Sequence, residues 1–221
     1  MKTLKFLLLL FVVSFAFISC DKNDPEDYDI FNVSVENGAD YDIDYVYVKL
    51  IHYIEDNVYD TITVASVTYN GGNFKLHLPR KIDEKYLIDI NKAYNPNAEQ
   101  IFDTTGDVLW VKNAFQASDN TAKILYWWYS RVCIQAYKNN KHVGAIEIKY
   151  KIGSNLTYVN KPVIVTGEFE IPRFLDHVVS YNLNFNKGWS ILKNERMTHD
   201  GFAEKYTINP TKTIECYYSP N

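Results

Sequence analysis

The densest group of side chains suited to ligand binding is the aromatic run Tyr126, Trp127, Trp128 and Tyr129. Successive residues of a strand point to opposite faces, so Tyr126 and Trp128 would share one face and Trp127 and Tyr129 the other. One face is expected to enter the core. The other could stack on a sugar ring or bind a protein, because flat aromatic rings supply a large contact area with a polar handle. Burial of the strand on both faces would explain the same four residues.

Two cysteines, Cys133 and Cys216, lie in the strand-like stretches Val132–Tyr137 and Thr213–Tyr218. In an oxidising compartment they could form a disulfide bond if these strands are neighbours. The alternative is two free thiols that act as small hydrophobic side chains. The chain has no CxxC or Cys/His spacing of the kind found in zinc sites, so we predict no metal site and no cofactor.

Three alternating acids, Asp40, Asp42 and Asp44, have the spacing of the first ligands in a calcium-binding loop. Tyr45 and Ile51 occupy the positions where such a loop needs Gly and Glu, so a charged strand edge is the simpler interpretation. No GxSxG or HExxH motif is present. A glycosidase would need two facing carboxylates, and the sequence does not single out such a pair. We therefore predict that the protein is not an enzyme.

Composition sets the broad class. The chain has 221 residues, 47% of them hydrophobic and 15% aromatic, which is enough to bury a core and excludes a wholly disordered protein. With 23 basic and 27 acidic residues the formal charge is −4, which argues against a nucleic-acid partner, because such proteins usually carry a clustered basic face.

The first nineteen residues, Met1–Ser19, have the pattern of a secretion signal. Lys2 and Lys5 precede the apolar run Phe6–Ile18, which is too short to span a bilayer comfortably. The run ends in Phe-Ile-Ser-Cys, which resembles the lipobox of bacterial lipoproteins. That resemblance implies that Cys20 is acylated by diacylglycerol and becomes the first mature residue, attaching the protein to a membrane. An ordinary signal peptide or an uncleaved anchor is the alternative.

Residues 20–27 are predicted to form an acidic tether, since Asp21–Asp27 contains nothing apolar to bury. The segment also resembles the acidic stretch that accompanies surface export of lipoproteins in the Bacteroidetes. The resemblance implies a lipid-anchored protein of the outer membrane, exposed at the cell surface. Exposure to the periplasm is the alternative.

From Tyr28 onward the sequence predicts about ten to twelve strands, rich in β-branched and aromatic residues and separated by Gly, Pro and Asn. We expect an all-β, antiparallel, sandwich-like fold, with barrel-like closure as the alternative and few or no helices beyond the signal peptide. Residues 28–221 are predicted to be a single domain. Two packed halves, 28–95 and 106–221, are the alternative because the intervening segment is polar.

Four local predictions can be compared directly with a structure. Ile43–Ile54 is apolar on both faces and is predicted to be covered on both sides. Thr61–Leu78 is predicted to be a hairpin around Asn-Gly-Gly-Asn, and a second hairpin is centred on Lys138–Lys141. Asp83–Ile90 is the one segment expected to contain a helical turn.

Several short segments resemble those of a group of small Bacteroidetes lipoproteins without an assigned activity. They are Asn70–Pro79 with Tyr86-Leu87, Val163–Gly167, Asn182–Trp189 and Cys216–Ser219. The resemblance implies a secreted, lipid-anchored, β-rich protein and supplies no catalytic residues. Asp60-Thr61-Ile62 and Asp103-Thr104-Thr105 further resemble the sites that Bacteroidetes O-glycosylate, which makes Thr61 and Thr104 candidates for that modification.

The function expected from these observations is that of a non-catalytic binding module, for a glycan or a protein. A structural or adhesive part of a surface assembly is the alternative, which an exposed long edge strand would favour. A hydrolase is the third hypothesis and needs a cleft with two facing carboxylates.

Overall fold

The computed structural model describes residues 27–55, 58–94, 115–125, 130–149, 155–171, 177–198 and 202–221. These residues form one short helix, α1 (Ile90–Tyr94), and the following strands: β1 (Tyr28–Val35), β2 (Tyr45–Glu55), β3 (Val58–Thr68), β4 (Asn73–Pro79), β5 (Ile88–Asp89), β6 (Phe115–Ala117), β7 (Lys123–Ile124), β8 (Ser130–Lys138), β9 (Lys141–Ile148), β10 (Asn155–Val159), β11 (Val163–Ile171), β12 (His177–Phe185), β13 (Gly188–Thr198), β14 (Phe202–Asn209) and β15 (Thr213–Pro220). The described residues also contain two 3₁₀ turns, Gly38–Asp40 and Glu84–Tyr86.

The strands build two curled, nearly closed sheets, and the all-β prediction is confirmed. Sheet 1 has the order β3-β2-β8-β9-β15-β1-β4, and sheet 2 has the order β5-β7-β10-β13-β14-β12-β11-β6. Most neighbours are antiparallel, but β1–β15 and β12–β14 are parallel. Sheet 1 combines β1–β4 with β8, β9 and β15, so the two segments considered as separate halves are interleaved in one sheet.

The larger of two hydrophobic cores lies between the sheets. Strand alternation turns Phe31, Val33 and Val35 of β1 inward, where each is at most 3% exposed. Sheet 2 contributes Tyr158 and Trp189 to the same core. Each fully buried side chain of this kind contributes about 1.5–3 kcal/mol relative to exposure.

A second core lies inside the curl of sheet 2. It is built from alternate residues of β11 and β12, such as Val165, Leu183 and Phe185. The helix α1 closes this core with Ile90 and Tyr94. The Ile90 N–H donates to the carbonyl of Ala122, which ties the start of the helix to the segment preceding β7.

One of the two predicted hairpins is confirmed and the other is wrong. Strands β8 and β9 pair as predicted, with Asn139 and Asn140 at φ values of 48° and 61°, as a two-residue turn of type I′ requires. Strands β3 and β4 flank the other turn but lie at opposite ends of sheet 1, because β3 pairs with β2 and β4 pairs with β1.

The prediction that Ile43–Ile54 is covered on both faces is also wrong. Val46, Val48 and Leu50 are fully buried, but Tyr45 on the opposite face is 42% exposed. The helical turn expected within Asp83–Ile90 is present as the 3₁₀ turn Glu84–Tyr86, capped by the Asp83 side chain. Within the described part of the chain, no helix is long and apolar enough to cross a membrane.

Candidate functional site

A cleft of about 630 Å³ opens where β1 and the end of β4 meet the outward surface of β12, β13 and β14. Its polar lining consists of amides and hydroxyls: Asn182, Asn184, Asn186, Ser190, Thr207, Asn209 and Thr211. Its charged lining consists of Asp29, Arg80, Lys187 and Lys212. Such a surface offers both hydrogen-bond donors and acceptors to a ligand.

The amide row of the cleft follows from strict alternation along β12. Leu183 and Phe185 fill the core inside sheet 2, so Asn182 and Asn184 project from the opposite face and are exposed. The parallel pairing of β12 with β14 places Asn182 opposite Thr207 and extends the polar surface across the sheet. The sequence Asn-Leu-Asn-Phe-Asn thus places its two apolar residues in the core and its asparagines on the surface of the cleft.

Asp29 forms the base of the cleft and is only 3% exposed. Its Oδ2 accepts a hydrogen bond from the Trp189 backbone N–H over 2.9 Å. Its Oδ1 lies 2.5 Å from Lys212 Nζ and 3.4 Å from Arg80 Nε. Both carboxylate oxygens are therefore occupied by donors from the protein itself.

The protonation of Asp29 follows from these contacts. Burial by itself raises the pKa of this carboxyl, but hydrogen bonds from Lys212 and the Trp189 N–H oppose it. The charges of Lys212 and Arg80 act in the same direction, and together they hold the pKa of Asp29 below its ordinary value of 3.8. The group is ionised at neutral pH, which suits an ion pair rather than a proton donor.

Trp189 lies beside Asp29 at the base of the cleft, which is the floor of the site, and its side chain is held in place by the protein. Its indole N–H donates to the carbonyl of Pro79 over 2.8 Å, and its ring contacts Tyr158 edge to face. The Tyr158 hydroxyl in turn donates to the carbonyl of Arg80 over 2.8 Å. The residue before the tryptophan, Gly188, has a φ of 107°, which L side chains rarely adopt.

The opposite wall is the turn between β14 and β15. The Oδ1 atom of Asn209 accepts from both the N–H and the hydroxyl of Thr211, at 3.3 and 3.1 Å. This Asx-type turn fixes the chain immediately before Lys212. The ammonium of Lys212 also lies 5.5 Å from the centre of the Phe31 ring, so its position is set from two sides.

The composition of the cleft bears on catalysis. Among the lining residues that the structure describes, Asp29 is the only carboxylate. The two-carboxylate mechanism of glycoside hydrolysis needs a second one across the cleft, and it needs a carboxyl that can give or take a proton. The described groups are suited to hydrogen bonding and charge pairing.

A second exposed surface lies on the outward face of β2, β8 and β9. The rings of Tyr47 and Tyr137 meet edge to face at 4.9 Å, and the ring of Tyr45 lies 6.4 Å from that of Tyr47. Lys49 Nζ lies 5.1 Å from the centre of the Tyr137 ring. Sequence reasoning missed this patch because it treated Ile43–Ile54 as covered on both sides, although Lys49 on the tyrosine face indicated solvent.

The sequence-predicted site residues that the structure describes, Thr61, Cys133 and Cys216, do not line the cleft. Tyr126, Trp127, Trp128 and Tyr129 lie outside the described residues, as do Cys20 and Thr104. Thr61 is exposed on β3, a terminal strand of sheet 1, and is accessible to a modifying enzyme. Its neighbour Asp60 accepts a hydrogen bond from the Tyr86 hydroxyl over 2.9 Å.

The disulfide alternative for Cys133 and Cys216 is wrong, since both thiols are free. Cys216 points into the core and is 1% exposed, whereas Cys133 lies on the opposite face of sheet 1 and is half-buried. Strand β9 separates β8 from β15. Two strand spacings place the Cα atoms about 9–10 Å apart, beyond the reach of a disulfide.

The acids considered as a calcium loop are engaged in other ways. Asp42 pairs with Lys138, and the Oδ2 atom of Asp44 accepts from the Asn139 N–H over 2.7 Å. The described ranges contain no group of three or more His, Cys, Asp or Glu side chains placed to hold a metal ion.

Comparisons of the chain with protein-family models, with curated proteins and with solved structures found no match.

Proposed function

We propose that this protein is a non-catalytic, lipid-anchored module of the outer membrane that binds a saccharide in the cleft beside β12. The observation that carries the proposal is the row of outward amides on β12, Asn182 and Asn184, continued by Thr207 on β14. Amides and hydroxyls match the paired donor and acceptor character of sugar hydroxyls.

The shape of the cleft supports the same proposal. Its floor is held by the hydrogen bonds of Trp189 and Tyr158, so it does not have to be ordered when a ligand binds. About 630 Å³ is within the size range of small-ligand sites and accommodates a few sugar units. The membrane anchor and the surface location rest on the resemblance of Phe17–Cys20 to a lipobox and of Asp21–Asp27 to a surface-export segment.

A glycan array probed with the full chain, purified in a mild detergent, tests the proposal. Saturable binding should be reduced at least about tenfold in Asn182→Ala and Asn184→Ala, since each removes two donors and an acceptor from the cleft. Asn91→Ala, an exposed asparagine on α1, is the matched control and should bind like the wild type.

Two results would overturn the cleft as the site. One is the absence of binding to any saccharide. The other is binding that survives both cleft variants and is lost in Trp127→Ala or Trp128→Ala, which would place recognition on the aromatic run instead.

A second candidate function, part of a surface assembly, is favoured by β3. This strand has 11 residues and is terminal in sheet 1, so the part of its edge that β4 does not cover could accept a partner strand by main-chain pairing. Ser66 is exposed on its outward face, and a lysine there should block pairing by charge. Chemical crosslinking on intact cells should then capture a partner with the wild type and lose it with Ser66→Lys.

A further inference from the structure

The cleft has the opposite charge to the rest of the molecule. Its described lining carries three cations, Arg80, Lys187 and Lys212, against the single anion Asp29. The chain as a whole has 23 basic and 27 acidic residues. A local excess of positive charge in a concave site of an acidic protein raises the concentration of anions there.

The positive excess is not cancelled by Asp29. That carboxylate is buried, and it accepts from Lys212, Arg80 and the Trp189 N–H together. Lys212 shares this carboxylate with Arg80, and Lys187 forms no ion pair with it. The side chains of Arg80 and Lys212 are still 43% and 48% exposed, so part of each remains within reach of a ligand.

Lys187 adds a third charge at the rim. It lies on the turn between β12 and β13, is exposed, and has no ion-pair partner among the residues that the structure describes. Its exposed ammonium lines the same cleft as the amides of Asn184 and Asn186, so it can contact a negatively charged group of a ligand that those amides bind.

The same geometry disfavours a cationic ligand. Its only carboxylate partner in the described lining would be Asp29, whose two oxygens already accept from the protein. Binding a cation there would require breaking an internal ion pair in a buried position, which is strongly unfavourable.

We infer that the saccharide bound in this cleft is acidic, bearing carboxylate or sulfate groups that meet Lys187 and Lys212 while its hydroxyls meet the amides of β12. This inference rests on the proposed function and specifies its ligand class. A neutral saccharide would use the amides and leave Lys187 and Lys212 without a ligand partner.

The test compares two oligosaccharides that differ only in charge, oligogalacturonate and its methyl ester, by calorimetry on the full chain. We expect the acid to bind at least about tenfold more tightly at low salt, and we expect this advantage to shrink as salt is raised. Lys187→Gln should lower the affinity for the acid about two- to fivefold and leave that for the ester unchanged. Lys92→Gln, an exposed lysine on α1, is the matched control.

The outcomes separate the two proposals. Equal binding of acid and ester would overturn the charge preference and leave the saccharide site standing. Failure of both probes would overturn the acidic-ligand inference, and the saccharide site would fall as well only if the glycan array also shows no binding. If the preference for the acid is unchanged in Lys187→Gln, the preference does not arise in this cleft. Lys212→Gln is a second variant of the cleft, but it also removes an ion-pair partner of Asp29. If Lys212→Gln does not fold, the measurement on Lys187→Gln decides the outcome.

Discussion

The backbone N–H of Trp189 donates to the Oδ2 atom of Asp29 over 2.9 Å, joining residues that are 160 positions apart in the chain. The other oxygen of this carboxylate holds Lys212 and Arg80. One side chain thus connects the start of β1, the end of β4, the start of β13 and the turn before β15. These elements form the cleft together with β12 and β14, so Asp29 holds one side of it in place.

Replacing the carboxylate tests that role. Asp29→Asn keeps the size of the side chain but removes the charge that both cations pair with. We expect the free energy of unfolding to fall by about 2–3 kcal/mol, the usual value of hydrogen bonds to a buried charged group. Urea unfolding measures this, with the exposed Asp40→Asn as the control. An equal loss in the two variants would contradict the role assigned to Asp29.

The pH dependence of stability has a defined sign. The pKa of Asp29 is depressed in the folded protein, so folding favours its charged form. Its stabilisation is complete above the unfolded pKa of about 3.8 and is lost as the pH falls through the lower folded value. The gap in stability between wild type and Asp29→Asn should therefore be constant at neutral pH and shrink below pH 3.8. A gap that persists into strong acid would contradict the ion pair.

Gly188 is required by both its backbone and its surroundings. It has a φ of 107°, and a Cβ built there would lie 2.2 Å from Asp29 Oδ2. Gly188→Ala should lose about 2 kcal/mol or more of stability and also weaken ligand binding, because it displaces the carboxylate. Gly72→Ala is a matched control, since its φ is 80° and nothing lies within 4 Å. It should cost only about 1 kcal/mol of backbone strain.

Sequence reasoning identified the β class because alternation and turn residues are local signals. The same signals could not decide which strands become neighbours. Asn140 and Gly71 both adopt positive φ, yet only the first turn joins paired strands. The strands on either side of the other turn pair elsewhere: β3 pairs with β2, which directly precedes it, and β4 pairs with β1, which is separated from it in the chain by β2 and β3. The residues of a single segment therefore do not determine which strands pair in the sheet.

The cleft illustrates the same limit. Alternation in Asn182–Phe185 indicates a strand, which the structure shows as the end of β12, but it does not indicate a cleft. Asp29 carries no local sign of its role, since the residues that pair with it come from three other elements. A buried acid is recognisable only once the parallel β1–β15 pair has brought Lys212 beside it.

Thiol chemistry tests the arrangement of the two cysteines. Burial raises the pKa of Cys216 to about 12 and also raises that of Cys133, so neither is a reactive thiolate at neutral pH. In the folded protein Cys133 should react slowly with an alkylating reagent and Cys216 should not react. After unfolding without reductant, mass spectrometry should find both residues alkylated. A cross-linked peptide containing both would contradict their placement on opposite faces.

The anchor predicted from the sequence is tested at Cys20. Where the described chain begins, the Asp27 carbonyl accepts from the Arg80 N–H over 2.8 Å, beside the cleft. An extended tether from Cys20 to Asp27 spans at most about 25 Å, so an acylated Cys20 would keep the cleft close to the membrane. Cys20→Ala should abolish incorporation of labelled fatty acid and release the protein from the membrane fraction. Retention of the unlabelled variant would favour an uncleaved anchor, because the apolar run Phe6–Ile18 would then hold the chain without lipid.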